Sequence, residues 1–335
     1  MGNLRKIKKL AIIASDNGIG HIKRSAILAN KIRISYLDIK LSFYVNIKKL
    51  DKLKKEIILQ PNIQLFNYAP NIEKILKSPD IYKKILNSLP SLGEYDLIIS
   101  DNLPEVLLSN KNTMLFANFL WGEILIKKNK MYFQKVNQIL KKYKPILIQN
   151  YLFGMNISKS KFSMIKKLYF YEFSLKKPIK NNKSILLSIG NTDDESIKIK
   201  KIINDLKKLP KDYIVYIEPR LYNDKLPSNF KKMKYTSELF LKIQYAIIRP
   251  GLGTIYSCLE NQILMFLLKS NNQEITHNNS ILLKSKLALD YDENFKNSLN
   301  STNVHNYKKR LSKLNFFKKN DFKNSFNLLI NKNYN

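Results

Sequence analysis

A chain of 335 residues can bury two hydrophobic cores, so its length predicts a two-domain protein. The 59 lysines and arginines outnumber the 26 aspartates and glutamates and give a formal net charge of +33. Only six of the 59 are arginine, the residue favoured for bidentate phosphate and guanine recognition, so we expect no nucleic-acid partner. Lys, Asn, Ile, Tyr and Phe share A/T-rich codons, and codon bias explains much of the charge. The positive charge is still compatible with weak peripheral association of the protein with an anionic membrane.

The cysteine and histidine content excludes several kinds of site. The single cysteine, Cys258, forms no intrachain disulfide and fits a reducing cytoplasm. Cys258 and the three histidines are not spaced as metal ligands, so we expect no metal. The longest purely apolar run, residues 263–268, is too short to span a membrane, and residues 10–14 are too short for the apolar part of a signal peptide. The sequence therefore predicts a cytoplasmic protein.

The first predicted element is an apolar strand over residues 9–14, and helical spacing follows over residues 22–34. Between them lie Gly18 and Gly20, which allow a sharp turn with unpaired N–H groups, and then His21. A dinucleotide-binding fingerprint would need a third glycine at Lys23, so this loop is not one.

The rest of the first half alternates apolar strands with helical or turn segments, which is typical of a parallel, doubly wound sheet. The predicted strands are residues 39–45, 63–68, 95–100 and 113–117. Ligands of such sheets collect at the carboxyl ends of the strands, where His21, Asp101 and Asn118 fall. Asp101 is either a polar site residue or a helix N-cap. Trp121 either packs in the interior or stacks on a ligand.

A second sheet is predicted after a polar, proline-containing linker at residues 176–182. Its first strand is residues 184–189, followed by a turn at Gly190 and Asn191 and by a helix from about Glu195. The acidic Asp193 and Asp194 would repel a diphosphate, so we expect them to cap this helix or to point away. The next predicted strand is residues 213–217.

The most informative stretch follows the strand Tyr245–Ile248. It reads Arg-Pro-Gly-Leu-Gly-Thr over residues 249–254, then an apolar helix, the strand at 263–268, and a polar turn that opens another helix. Thr254 is predicted as the N-cap, and the free N–H groups after it suit a diphosphate. A glycine turn that binds no ligand is the alternative.

This order of Arg-Pro-Gly-x-Gly-Thr, helix, strand and Gln-Glu-x-x-His-Asn resembles the donor-binding half of GT-B glycosyltransferases. It looks most like the family 28 group that includes the peptidoglycan UDP-N-acetylglucosaminyltransferase. The run Gly-Ile-Gly-His-Ile-Lys-Arg-Ser from Gly18 resembles the loop that opens the acceptor-side domain of the same families. The resemblance implies two Rossmann-like, doubly wound α/β domains facing a central cleft. It implies an acceptor-side domain over residues 1–177, a nucleotide-sugar domain over residues 183–290, and a basic helical tail at 291–335 that packs back across both. A solvated basic helix is the alternative for the tail.

The resemblance further implies an inverting, metal-independent transfer of a sugar from a nucleotide-diphosphate donor, a UDP-sugar, to a glycan or lipid-linked acceptor in cell-envelope polysaccharide synthesis, without a cofactor. His21 is the candidate base, because imidazole has an ordinary pKa of about 6.5, and Asp101 is the next candidate. The alternative for His21 is a hydrogen bond within its own loop. The implied donor-binding residues are Gly190, Asn191, Arg249, Gly251, Leu252, Gly253, Thr254, Ser257, Gln273 and Glu274. The implied acceptor-side residues are Gly18, Gly20, Asn118 and Trp121.

The chain departs from the family pattern in the donor half. Ser257 stands where the family has a Glu or Asp that binds the ribose, and Glu260 lies three residues further along the helix. Gln262 and Leu264 replace a Gly and a Pro. Two alternatives therefore stay open: a sugar-nucleotide hydrolase or epimerase of the same fold, and a catalytically silent donor-binding relative.

Overall fold

The protein consists of two compact units, each built around its own parallel β-sheet. The computed structural model describes residues 7–54, 56–124, 129–168, 175–176, 183–190, 198–234, 236–292, 294–313 and 322–334. One unit takes Met1–Tyr171 together with Lys319–Asn335, and the other takes Glu172–Lys318. Most of the linker predicted at residues 176–182 lies outside the described part of the chain.

The first unit holds a seven-stranded sheet in the order β3-β2-β1-β4-β5-β6-β7, with every neighbouring pair parallel. The strands are β1 (Lys9–Ile13), β2 (Lys40–Val45), β3 (Ile63–Asn67), β4 (Leu97–Asp101), β5 (Thr113–Phe116), β6 (Ile146–Asn150) and β7 (Met164–Leu168). The helices between them are α1 (Ile19–Ser35), α2 (Ile47–Asp51), α3 (Ile72–Leu76), α4 (Ile81–Ser88), α5 (Trp121–Ile124) and α6 (Lys130–Tyr143). Two 3-10 helices lie at Pro104–Leu108 and Lys159–Lys161.

Both faces of the first sheet are covered, as the near-continuous apolar strands require. Successive side chains of a strand point to opposite faces. Leu10 and Ile12 accordingly belong to one buried cluster, which includes residues of α1. Ala11 and Ile13 belong to the cluster on the other face, which includes residues of α4 and α6.

The second unit holds a six-stranded parallel sheet in the order β10-β9-β8-β11-β12-β13. The strands are β8 (Ser184–Ser188), β9 (Ile214–Ile217), β10 (Phe230–Lys232), β11 (Tyr245–Ile248), β12 (Leu264–Leu267) and β13 (Ala288–Asp290). The helices are α7 (Ile199–Lys207), α8 (Ser237–Lys242), α9 (Leu252–Glu260), α10 (Gln273–Lys284) and α11 (Ser301–Lys313), with a 3-10 helix at Phe295–Ser298. The central strands β8 and β11 are buried along their whole length.

The tail is divided between the two units. Helix α11 lies in the second unit, whereas the last helix, α12 (Phe322–Tyr334), lies in the first. Phe322, Phe326 and Leu329 of α12 are buried in the same cluster as Leu10 and Ile12. The sequence predicts that the tail is helical over residues 306–332, and residues 314–321 of that segment lie outside the described part. Among the helices that the structure describes, none is long and apolar enough to cross a membrane.

Two parallel, doubly wound sheets confirm the fold class that the sequence predicts. Each strand predicted from the apolar runs is present, with ends that differ by at most two residues. Four strands are not predicted. Those are β6, β7, β10 and β13. Strands β7, β10 and β13 are edge strands that are short or rich in lysine, so they lack a buried apolar run.

Candidate active site

The centre of the first sheet is the point where the strand order changes direction. Strand β1 pairs with β2 on one side and with β4 on the other. The connections after β1 and β4 therefore diverge, and the crevice outside the carboxyl ends of these strands is the usual ligand site of a doubly wound sheet. His21 follows β1, and Asp101 is the last residue of β4.

Helix α1 begins earlier than the sequence pattern predicts. Gly18 is its N-cap, with a φ of 84°, and the helix starts at Ile19 rather than at residue 22. The positive φ completes the turn within one residue, since glycine has no Cβ to oppose it. Gly20 and His21 consequently lie in the first turn of the helix, which fixes the direction of the imidazole.

Asp101 is completely buried, and its carboxylate contacts three polar side chains in this crevice. Its Oδ1 lies 3.0 Å from Nδ1 of His21, and its Oδ2 accepts hydrogen bonds from Ser25 Oγ at 3.0 Å and from Arg24 Nε at 3.1 Å. Arg24 Nη2 donates to Oδ1 as well. The N-cap alternative for Asp101 is wrong, because Leu103 caps the short helix that follows and Asp101 ends a strand.

Two effects oppose each other in the ionisation of Asp101. Burial alone would raise the pKa of its carboxyl, but the Arg24 guanidinium and the hydrogen bonds from His21 and Arg24 hold that pKa below its usual range. The carboxylate is thus charged at neutral pH. The Arg24 guanidinium also lies over the ring of Phe116, with 5.1 Å between Cζ and the ring centroid, which fixes its plane.

Aromatic rings also pack against His21. The centroid of the Trp121 ring lies 5.6 Å from that of His21, and Phe119 meets Trp121 edge-on at 4.8 Å. Trp121 is only 8% exposed, so the structure places it in the interior beside the imidazole. Asn118 is also buried, and its Oδ1 accepts the N–H of Asn150 at 2.9 Å, which ties the ends of β5 and β6 together.

The second sheet has the same arrangement at its centre. Strand β8 lies between β9 and β11, so the connections after β8 and β11 diverge at the carboxyl edge. Gly190 follows β8 with a φ of 67°, and Arg249 follows β11 and donates its backbone N–H to the Ser188 carbonyl at 3.0 Å. The predicted donor residue Asn191 lies outside the described residues, as do Asp193, Asp194 and Glu195.

Glu218 organises the loop after β8. Its Oε1 accepts hydrogen bonds from Ser188 Oγ at 2.8 Å and from the Gly190 N–H at 2.9 Å. Arg220 donates from Nε to Oε2 of Glu218 at 3.3 Å and from Nη2 to the Gly190 carbonyl. A buried carboxylate and an arginine thus hold the backbone of Gly190 from both sides.

The loop after β11 corrects the predicted capping residue. Gly251 is the N-cap of α9, and no side chain caps this helix, so Thr254 lies inside its first turn. The chain turns into the helix directly at the glycine, which leaves Thr254 too late in the sequence to be the cap. Helix α10 supports the loop from behind, because the buried Asn278 donates from Nδ2 to the Pro250 carbonyl at 2.9 Å.

The remaining predicted donor residues lie along α9 and at the start of α10. Ser257 donates its hydroxyl to the Gly253 carbonyl at 3.1 Å, one turn back in α9. Glu260 pairs with Lys176, with 3.3 Å between Oε1 and Nζ. Gln273 and Glu274 are the first two residues of α10, which follows β12 at the same carboxyl edge.

The sequence pattern predicts no role for Arg24, Ser25, Glu218 or Arg220. Arg24 lies one helical turn after His21, a spacing that places both side chains on one face of α1. Glu218 and Arg220 directly follow the predicted strand at 213–217, where polar residues of a parallel sheet gather. The spacing of Arg24 from His21 and the place of Glu218 and Arg220 after a strand are the sequence features that indicate these residues.

Comparison with known proteins identifies solved structures with the same architecture. No family model and no curated protein matches the chain. Solved structures match over nearly the whole of it. The UDP-glucose:anthocyanidin 3-O-glucosyltransferase in complex with UDP has a TM-score of 0.69 at 12% identity, over 98% of this chain and 99% of that one. The glycotransferase of kitacinnamycin has a TM-score of 0.66 at 11% identity, over 98% and 100%.

A third neighbour is the Streptomyces sp. SF2575 glycosyltransferase in complex with thymidine diphosphate, with a TM-score of 0.58 at 9% identity, over 97% of this chain and 99% of that one. At such identities the likeness shows the fold, which is that of GT-B glycosyltransferases. The predicted fold is therefore confirmed. The narrower likeness to the peptidoglycan enzyme stays a prediction.

Proposed function

We propose that this protein transfers a sugar from a nucleoside-diphosphate donor to an acceptor hydroxyl, and that His21 is the base. The observation that carries the proposal is the contact of 3.0 Å between His21 Nδ1 and Asp101 Oδ1 at the switch point of the first sheet. With Asp101 holding Nδ1, the ring has Nε2 left to accept a proton. The side chain of His21 is 11% exposed, so the ring is positioned by the protein.

The chemistry is a single displacement. His21 Nε2 takes the proton of the acceptor hydroxyl, and the acceptor oxygen forms a bond to the anomeric carbon of the donor sugar. The bond from that carbon to the β-phosphate oxygen breaks, and the nucleoside diphosphate leaves with the electron pair. One displacement inverts the anomeric configuration. Asp101 stabilises the imidazolium that forms, and no metal is required in the proposed step because protein groups stabilise the leaving diphosphate.

The second unit supplies the donor site in this proposal. Added Cβ atoms at Gly251 and Gly253 would meet no atom within 4 Å, and neither residue has a positive φ. Neither packing nor backbone conformation therefore requires glycine there, although glycine within α9 costs the helix about 1 kcal/mol. A closely approaching diphosphate at the N-terminus of α9 accounts for both glycines. Arg249, directly before this loop, adds the positive charge.

The nucleotide that we propose is uridine diphosphate. One structural neighbour is a UDP complex and another a thymidine diphosphate complex, and both fit a pyrimidine diphosphate. Titration calorimetry with UDP, TDP and inorganic phosphate tests the site directly. UDP at about 100 times its Kd should also raise the unfolding free energy by about 2.7 kcal/mol. Gly253→Val should remove this binding, and Gly93→Val, another glycine with open space around it, should not.

Turnover separates the proposed transferase from the alternatives. Nucleotide release is measured with and without candidate acceptors. Release that needs an acceptor indicates transfer, release to water alone indicates a hydrolase, and tight donor binding without release indicates a silent relative. His21→Ala should lower turnover by about 10²–10⁴ with little change in donor Kd. His305→Ala, a histidine exposed on α11, is the matched control.

The reverse pattern is expected for the donor side. Glu274→Ala should weaken donor binding by about 1–3 kcal/mol through lost hydrogen bonds to the sugar, with turnover at saturating donor preserved. If His21→Ala keeps full turnover, the assignment of the base is refuted.

A further inference from the structure

Nδ1 of His21 has two neighbours that compete for it. Asp101 Oδ1 lies 3.0 Å away, and Arg24 Nη2 lies 2.9 Å away. A carboxylate only accepts hydrogen bonds and a guanidinium only donates them. Nδ1 carries either a proton or a lone pair, so it satisfies one neighbour at a time.

The two choices correspond to the two neutral forms of the ring. When Nδ1 carries the proton, it donates to Asp101, and Nε2 has the lone pair that a base needs. When Nδ1 carries the lone pair, it accepts from Arg24, and the proton is on Nε2, which then cannot accept another. Protonation of both nitrogens satisfies Asp101 but places a cation beside the guanidinium.

We propose that Arg24 is a positioning residue that competes with Asp101 for Nδ1 of His21, favours the form protonated on Nε2, and opposes formation of the imidazolium. This inference rests on the proposed function, because the neighbour that holds Nδ1 then decides whether Nε2 has the lone pair that takes the proton of the acceptor.

Burial strengthens the effect of Arg24 on the ring. Arg24 and Asp101 have 8% and 0% of their side chains exposed, so solvent screens their charges little. The charged groups that contact the ring within the described residues are Arg24 from α1 and Asp101 from β4, and the other packed rings are those of Phe119 and Trp121. Together the two charges sum to zero. Asp101 therefore attracts the imidazolium less than an unpaired carboxylate would.

Nitrogen NMR of the full-length protein labelled with ¹⁵N-histidine tests the proposal without any substrate. The His21→Ala spectrum identifies the His21 signals among the three histidines. Arg24→Gln should raise the fraction protonated on Nδ1.

Arg24→Lys keeps the positive charge beside Asp101 but lacks the planar fork that reaches both Asp101 and His21. We expect a shift toward the Nδ1-protonated form in this variant as well. Lys23→Gln removes a charge from the adjacent residue of the same helix, which pairs with Glu56, and should leave the proton distribution of the ring unchanged.

Asp101→Asn provides an independent arm in case Arg24→Gln does not fold. The neutral amide is a weaker hydrogen-bond acceptor for Nδ1–H than the carboxylate, so the fraction of the ring protonated on Nε2 should rise. This change is opposite to the one expected for the Arg24 variants. A parental proton distribution in Arg24→Lys and Asp101→Asn would overturn the proposal and leave Arg24 as a structural partner of Asp101. Because the readout is the ring itself, this failure is distinct from an absence of sugar transfer, which the turnover assay reports.

Discussion

Glu105 is a buried carboxyl group whose protonation should control the stability of the first unit. It lies in the 3-10 helix Pro104–Leu108 with no exposed surface. Burial raises the pKa of Glu105 from 4.5 to about 7, and interactions with its own backbone and with the Tyr132 hydroxyl oppose only part of that rise.

The sign and size of the effect follow from linkage. The folded protein holds this proton up to about pH 7, whereas the unfolded chain releases it near 4.5. Stability is therefore highest below the unfolded value and is lost as the pH rises through the folded one. A tenfold change in proton affinity corresponds to about 1.4 kcal/mol, so ionisation of Glu105 costs about 3 kcal/mol well above pH 7. Glu105→Gln, which stays neutral, avoids this cost.

Urea unfolding followed by tryptophan fluorescence measures the effect in the correct unit. Trp121 is the single tryptophan and lies in the same buried cluster as Val106 and Leu107 of the helix that carries Glu105. Between about pH 5 and pH 8 the parent should lose about 2–3 kcal/mol relative to Glu105→Gln. Glu73→Gln, the same change at a carboxylate that is 67% exposed, should follow the parent at both pH values. Parallel pH dependence of the parent and Glu105→Gln would refute the reasoning.

Two further predictions concern packing, and each has a matched control. Phe326→Ala should destabilise the first unit by about 3–5 kcal/mol, because Phe326 is fully buried, whereas Leu328→Ala on the same helix, 62% exposed, should change stability by less than about 0.5 kcal/mol in urea unfolding. Gly154→Ala should cost about 1–3 kcal/mol, because its Cβ would lie 2.9 Å from the Asn150 carbonyl oxygen, and Gly93→Ala, with no atom within 4 Å, should be nearly neutral in thermal unfolding. Equal effects of the two members of either pair would contradict the packing argument.

The sequence predicts the fold well because the central strands are buried on both faces. Such strands are continuous apolar runs that end in glycine or polar residues, as Tyr245–Ile248 does. The strands that it misses have weaker patterns. Strand β10 is Phe-Lys-Lys at a sheet edge, and only its phenylalanine is buried. Its position comes from pairing with β9, which no local pattern records.

The candidate site is predicted only in part, for a similar reason. The glycine loops are local, and their residues stand together in the sequence. The partner of His21 is not local, because Asp101 is 80 residues away and reaches it through the pairing of β1 with β4. Arg24 is close in sequence to His21, but its importance depends on sharing Asp101, so spacing alone does not reveal it.

Asp101 and Glu105 show why burial alone does not identify a catalytic carboxylate. Both are fully buried and lie four residues apart, yet the pKa of Asp101 is held low and that of Glu105 is raised to about 7. The difference lies in their partners, since Asp101 has Arg24 and His21 beside it. Asp101 therefore contributes stability that is lost as the pH falls through its folded pKa, and Glu105 contributes stability that is lost as the pH rises through its own. Only the first is charged across the range in which an imidazole works as a base, which makes Asp101 the carboxylate that can support His21.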